Sequence, residues 1–334
     1  MVKYNKRKVA CILLLAAFSS TQLLAACSGA AGSRSVAKRV AQVEASGPSV
    51  ASAASLSSAK DDNVADSLAD VCYTTKDSLK IASLLREAAQ MERKPDSWML
   101  WFGKKFCDVP YVGGTLDRDK VERLVVNTTE LDCTTYVEMV LALSMCADQG
   151  ETSFAHYCEH LRHVRYVGGE VAYVKRQHYF TLWIADNERE GIVTDIHPNP
   201  PFTAMQQVMV NWMSAHQVSY KMLSAHPEWL SGIKSLEQSI NGLRCRYIPK
   251  ANIADNKLFR ETIKDGDIIV IVTNKKGLDT THIGLASWHR NGLHLLNASS
   301  IHKKVIDEPM LLRTYMKSHP VQIGIRVCRA NLAK

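Results

Sequence analysis

The sequence predicts an α+β fold, on three observations. Apolar residues recur at helical spacing through the first half of the folded region. β-rich runs separated by turn residues fill the last third. Between them, one cysteine stands at the mouth of an apolar helix. In chain order, "DSLKIASLLREAAQMER" carries Leu79, Ala82, Leu85 and Ala89 at helical spacing, with Asp77 or Ser78 placed to cap. "PDSWMLWFGKKF" reads as a second, short helix, and "PYVGGTL" as a loop, since paired glycines supply backbone freedom. "LVVNTTELDC" runs into a helix whose buried stripe is Val137, Val140 and Leu141, with Asp132 as its cap. "RYVGGEVAYVKRQHYFTLWIADN" alternates enough to predict strands about a Gly-Gly turn. "WMSAHQVSYKMLSAHPEWLSGIKSLEQSINGL" predicts helix, broken near Pro227. "GDIIVIVT", "THIGLASW" and "LHLLNASS" predict an antiparallel meander.

The front of the chain has a different character. Lys3, Lys6, Arg7 and Lys8 precede the apolar run "ACILLLAAF", which is well short of the roughly 20 residues a bilayer needs. Residues 1–26 therefore read as a secretory signal. The run ends in "LLAAC", which resembles a bacterial lipobox and implies cleavage before Cys27, acylation of its thiol and a membrane anchor. Ser28 rather than Asp follows, which favours the outer membrane, facing the periplasm. Residues 27–67 are rich in Ala, Ser and Val without an aromatic residue, and read as a tether. Residues 68–334 remain for one large domain, or a core with insertions.

The net charge of +8 overstates any case for a polyanionic partner, because four of those positive charges lie in the signal. The other basic residues are scattered, so nucleic acid is not an expected partner. Of nine cysteines, Cys11 leaves with the signal and Cys27 is lipidated. With Cys133 set aside for chemistry, six remain to pair in an exported chain.

Cys133 would fall in the first turn of its helix. Unpaired amides and partial positive charge there stabilise a thiolate, the form that attacks, and can hold an oxyanion. A thiol nucleophile also needs a base and a group to orient it. His282 opens one strand of the meander, with Gly284 and Ala286 following on its face. In the next run Leu293, Leu295 and Asn297 share a face. Any even-numbered hairpin loop puts Asn297 on the face of His282, opposite it or a few residues along.

These residues carry a resemblance. "LDCTTYVE", "GDIIVIVT…THIGLA" and "NASS" resemble the NlpC-type superfamily of papain-like cell-wall cysteine hydrolases. More narrowly, "PYVGGTL", "LVVNTTELDCTTYVE", "RQHYF", "GLDTTHIGLA" and "LHLLNASS" resemble the N-acetylmuramoyl-L-alanine amidase-like family within it, over about Tyr111 to Cys328. The resemblance implies a papain-like fold with the cysteine at a helix N-terminus packed on the meander that carries the histidine. It implies Cys133 as nucleophile, His282 as general base and acid, and Asn297 as third member, with the amides of Cys133 and Thr134 holding the oxyanion. Histidine is commoner at the third position; an asparagine oxygen orients imidazole without carrying charge. The implied reaction is hydrolysis of the amide joining the lactyl group of N-acetylmuramic acid to L-alanine in peptidoglycan fragments, including anhydromuropeptides, with no metal or organic cofactor.

Tyr111 matches a cleft tyrosine, and Arg176, His178 and Tyr179 match a family motif. An arginine there would pair with a stem-peptide carboxylate and a tyrosine would pack on sugar. The plainer reading makes Tyr179 strand core and leaves Arg176 on a solvated face. Thr281 stands beside His282. His156, His160 and His163 share a helical face, read as surface rather than a zinc site. Two other functions fit the sequence: a D-glutamyl-diamino-acid endopeptidase of the same fold, and a wall-binding lipoprotein without activity.

Overall fold

A computed structural model describes residues 68–333. The expected signal, the acylated Cys27 and the tether lie outside the described residues. Strand β1 (Val71–Cys72) leads into helix α1 (Thr75–Ala89), followed by α2 (Trp98–Lys104). Strand β2 (Leu124–Val125) runs parallel to β1 and leads to α3 (Cys133–Gln149) and α4 (Phe154–Arg165). Helix α1 is capped one turn earlier than expected. Thr74 and Asp77 form a reciprocal capping box, so Asp77 is its third residue and not its cap. The buried stripe is correspondingly Ile81, Leu84, Leu85 and Ala88, and Leu79 is exposed. Asp77 also accepts from the amide and hydroxyl of Thr128 at 2.7 Å each, tying α1 to the segment that leads to Cys133.

The strands expected around the Gly-Gly turn do not form. Gly168 and Gly169 both adopt left-handed backbone (φ 62° and 70°), and short 3-10 turns occupy Val167–Gly169 and Tyr173–Lys175. Helix α5 (Phe180–Arg189) follows. Its buried residues, Thr181, Trp183, Ile184 and Asn187, recur at helical spacing and override the alternation before them. A single bridge between Tyr166 and Arg176 is what remains of the hairpin.

Strands β3 (Val193–Ile196) and β4 (Ala204–Gln207) precede a helical insertion broken at Pro227, as the sequence predicts. Its helices are α6 (Trp212–Ala215), α7 (Lys221–Ala225) and α8 (Leu230–Ile240). Strand β5 (Arg244–Pro249) and α9 (Lys257–Thr262) lead to the predicted meander, β6 (Ile268–Thr273), β7 (Thr280–His289) and β8 (Gly292–Ser299), which β9 (Lys304–Asp307) extends beyond the three expected runs. Helix α10 (Leu312–Lys317) then returns the chain to β10 (Gln322–Ala330). The sheet order is β4-β5-β10-β6-β7-β8-β9, with β3 also paired to β10, all antiparallel.

Every residue of β6 is buried, the reason its sequence is one unbroken apolar run. One face of the sheet, with Val270, Ile283, Leu285 and Leu296, packs on the helices. The other, with Ile269, Ile271, Ala286 and Leu295, packs on Phe259, Leu312 and Met316. Helix α3 lies against the first face and buries residues 135–144 around its whole circumference. Each large aliphatic side chain so buried contributes about 1.5–3 kcal/mol. A Glu138–Arg165 ion pair at 2.6 Å, fully buried, joins α3 to α4. None of the seven described cysteines forms a disulfide.

Gly103, in α2, permits this packing. A Cβ there would stand 2.7 Å from the Tyr136 hydroxyl and 2.9 Å from a Leu285 methyl. Gly103→Val is expected to destabilise the fold by about 1–3 kcal/mol through overpacking. Denaturant melts of the two proteins measure it, and equal midpoints would contradict the packing described.

Candidate active site

Asp132 caps α3 as expected: its carboxylate accepts from the Thr135 amide at 2.8 Å, and the Thr135 hydroxyl accepts from the Asp132 amide at 3.0 Å. Cys133 is therefore the first residue of the helix, half-buried, with Thr134 beside it. The first helical bond runs from the Tyr136 amide to the Asp132 carbonyl, so the amides of Cys133 and Thr134 have no acceptor within the helix. The chain enters through Leu131, bridged to Tyr111. Tyr111 is half-buried, and its amide donates to the Lys303 carbonyl at 2.9 Å. That places the expected cleft tyrosine two residues from the thiol along a bridged segment.

Across from the helix start, β7 supplies the imidazole. Its pairing with β6 slips by one residue between Thr280–Val272 and His282–Ile271, so Thr281 is the extra residue of a bulge. Bulges bend a strand and re-aim a side chain, here that of His282. The Thr281 hydroxyl is buried with no hydrogen-bond partner among the described residues. The Ile283 amide, next in the chain after His282, donates toward the Cys133 sulfur. The structure thus brings residue 133 against the strand position that carries the histidine.

His282 and Asn297 form the expected cross-strand pair, with Nε2 2.9 Å from Oδ1. The register pairs Leu285 with Leu296 and Ala286 with Leu295, so His282 and Asn297 are diagonal neighbours, with Gly284 lying across from Asn297. That glycine is a site residue the sequence reading did not identify. A Cβ on it would come within 2.8 Å of the Asn297 Cβ and 2.9 Å of the Leu296 carbonyl. The signal was present in the sequence, as a glycine two residues past the histidine and on its face. Asn297 is buried, and its Nδ2 donates to the Leu295 carbonyl at 3.1 Å. With the carboxamide held that way, Oδ1 accepts from the imidazole. Nε2 then carries the proton and Nδ1 the lone pair.

Burial sets the resting charge state. It pushes the Cys133 thiol up to about 12, and the Asp132 carboxylate adds to the rise. The Ile283 amide, the Thr134 side chain and the Cys133 amide oppose it without prevailing. The thiolate stabilisation expected at a helix start is present here but outweighed. His282 is held below its ordinary value, again chiefly by burial. The Asn297 bond opposes that shift and nearby His319 adds to it. Thiol and imidazole therefore rest as a neutral pair.

The motif Arg176, His178 and Tyr179 faces inward, and each of its members has partners within the chain. Arg176 is buried, 2.6 Å from Asp117 and 3.6 Å from Glu122, with its guanidinium 4.8 Å from the Tyr173 ring centroid. A guanidinium facing two carboxylates of its own chain has no uncompensated charge for a third. The His178 Nε2 bonds the Tyr173 carbonyl at 2.8 Å, and burial drives that imidazole down to about 3. The Tyr179 hydroxyl donates to Glu237 at 2.8 Å and accepts from the Met213 amide at 3.0 Å. Tyr179 is core, as the plainer reading had it, but as the residue before a helix rather than in a strand.

Of the histidine face on α4, His160 contacts Glu151 at 2.7 Å, His156 lies 3.6 Å from the same carboxylate, and His163 contacts Glu159 at 3.2 Å. Among the described residues, one set could hold a metal ion: Cys146, Glu151 and His160, with donor atoms within 4.8 Å of one another.

No curated protein matches the chain. Two structures of an N-acetylmuramoyl-L-alanine amidase from Bacteroides uniformis are each 39% identical to it, with TM-scores of 0.65 and 0.66. They cover 70% of this chain and 98% and 97% of their own. A Bacteroides fragilis protein named provisionally as a xylanase is 35% identical, with a TM-score of 0.65 over 69% of this chain and 99% of its own. A Legionella pneumophila protein at 22% identity and TM-score 0.56 shares the fold. The family model described as N-acetylmuramoyl-L-alanine amidase-like matches residues 101–325. On that match and those identities, the chain belongs to the N-acetylmuramoyl-L-alanine amidase-like family.

Proposed function

We propose that the chain is a cell-wall amidase that cleaves the bond between N-acetylmuramic acid and L-alanine through a cysteine nucleophile, in a papain-like, NlpC-type arrangement. The observation that carries this reading is the His282–Asn297 hydrogen bond, formed beside the amide that meets the Cys133 sulfur. Because the pair rests neutral, His282 must act as a general base during attack. Its Nδ1 takes the thiol proton as Sγ bonds the lactyl carbonyl carbon. The carbonyl oxygen becomes an oxyanion facing the amides of Cys133 and Thr134, whose orientation is fixed before the reaction. Collapse breaks the C–N bond, and the imidazolium returns its proton to the departing alanine nitrogen. Water, deprotonated by the same nitrogen, then opens the thioester and restores Cys133. Asn297 holds Nε2–H throughout but carries no charge, so it orients the imidazolium more than it stabilises it.

Tyr111 and Thr281 border this groove and are proposed to line it, and small anhydromuropeptides are the substrates the reading favours. On the same reading, the lipobox cysteine Cys27 anchors the enzyme to the outer membrane on its periplasmic side. A glycoside hydrolase would require two carboxyl groups flanking the cleaved bond. The groups brought together at this helix start are a thiol, an imidazole and a carboxamide.

Muropeptide digestion with product masses read by mass spectrometry tests the reaction. Release of a muramyl sugar bearing a free lactyl acid is expected, with Cys133→Ala at least about 10³-fold slower. Cleavage after D-glutamate instead would assign the endopeptidase, and an unimpaired Cys133→Ala would remove the nucleophile. The pH profile gives a second check. Only neutral His282 accepts the thiol proton, and its pKa is lowered from 6.5. Activity should therefore persist below pH 6.5 and fall away as pH drops through the lowered value; an acid limb centred above 6.5 would contradict this. Gly284→Ala should push Asn297 out of place, destabilising the fold by about 1–3 kcal/mol and lowering kcat at least about tenfold. Thermal melts and kcat measured together check it.

A further inference from the structure

Helix α5 begins without a cap of its own, since the residue before it, Tyr179, makes no side-chain capping bond. A carboxylate from 98 residues further along the chain supplies one: Asp279 Oδ2 accepts from the Thr181 amide at 2.7 Å. The other oxygen of the same buried carboxylate accepts from the Thr280 amide at 2.8 Å and the Thr280 hydroxyl at 3.3 Å. The Asp279 carbonyl accepts from Gln206 Nε2 at 2.9 Å and the Thr273 amide at 3.3 Å. Two residues earlier, the Gly277 carbonyl accepts from the amides of Asn211 and Trp212 at 3.2 and 3.1 Å.

We infer that Asp279 is a positioning residue for the reaction, whose carboxylate locks Thr280 to the start of α5 and so fixes the bulge that aims His282. This rests on the amidase reading. Along the chain, Thr280 is the last residue in register before the slip, Thr281 is the extra residue, and His282 is the first residue of the shifted register. A bulge inserts an unpaired residue, so β pairing alone leaves its direction underdetermined. Here the carboxylate ties the near side of the bulge to a helix terminus, whose partial positive charge favours it. The family motif "RQHYF" thereby gains a role. Tyr179, bonded to Glu237 and the Met213 amide, fixes the start of α5 against the helical insertion, and α5 in turn receives Asp279. On this inference the motif supports the imidazole from behind, through the start of α5.

A shift of about 1 Å in a reacting group costs on the order of 10²-fold in rate. Asp279→Ala should accordingly lower kcat roughly tenfold to hundredfold and leave KM within about twofold. Asp279→Asn, which keeps one acceptor oxygen, should fall between. Asp267→Ala serves as the structural control: it is buried and paired with Arg329 at 2.7 Å, and it sits just before β6, about 13 Å along the strand from the residue that pairs with His282. It should lower Tm and hold kcat within about twofold. A readout independent of amidase activity is the pH dependence of Cys133 alkylation by iodoacetamide, followed on the Cys133 peptide by mass spectrometry. Wild type should show a step where His282 titrates, and Asp279→Ala should lose or displace it. An unchanged kcat and alkylation profile in Asp279→Ala would overturn the inference, as would equal kcat losses in Asp279→Ala and Asp267→Ala. Should wild type release no muramyl product while Asp279→Ala still displaces the alkylation step, the amidase reading fails and the positioning role stands. If Asp279→Ala does not fold, the same comparisons with Asp279→Asn decide.

Discussion

The constraint on which the rest depends is the burial of helix α3 on all sides. Tyr136, Val137, Val140, Leu141 and Leu143 are fully buried, so the helix cannot slide or turn without opening the core. Its first residue is Cys133, and the immobility of the helix becomes the immobility of the sulfur. The approach of β7 to this helix start follows from the same packing, through Ile283 and Leu285 on one side and Gly103 on the other. The chemical pair is therefore placed by apolar contacts, with hydrogen bonds setting only its orientation.

Much of this was legible in the sequence, for local reasons. The cap at Asp132 and the stripe behind it lie within a few residues of one another. The His282–Asn297 relation also needed little long-range information. A hairpin of even loop length preserves the face of both side chains, and the two-residue loop Arg290–Asn291 between β7 and β8 has that property. The partners of the motif at Arg176 to Tyr179 were not legible because they are remote. Asp117 and Glu122 meet Arg176 from more than fifty residues away, and Glu237 meets Tyr179 across 58. No periodicity could announce those contacts. Strands β3, β4 and β5 were missed for a different reason: "VTDI", "AMQQ" and "RCRYIP" are short and mix apolar with polar residues, and gain their strand character from neighbours already in place.

Charge behaviour at the site inverts a local expectation in the same way. A helix start favours a thiolate within one turn, yet burial takes water from the Cys133 thiol, and that loss is the larger effect. The result is a thiol that rests protonated beside a neutral imidazole. Such a thiol is slow toward adventitious electrophiles, because the attacking form is scarce at rest.

None of the described cysteines is cross-linked, and Cys146, Cys158 and Cys328 are buried. Cohesion of the described domain rests on side-chain packing, on backbone hydrogen bonds and on buried ion pairs such as Glu138–Arg165. Each of these three thiols serves the fold as a small side chain that fills space.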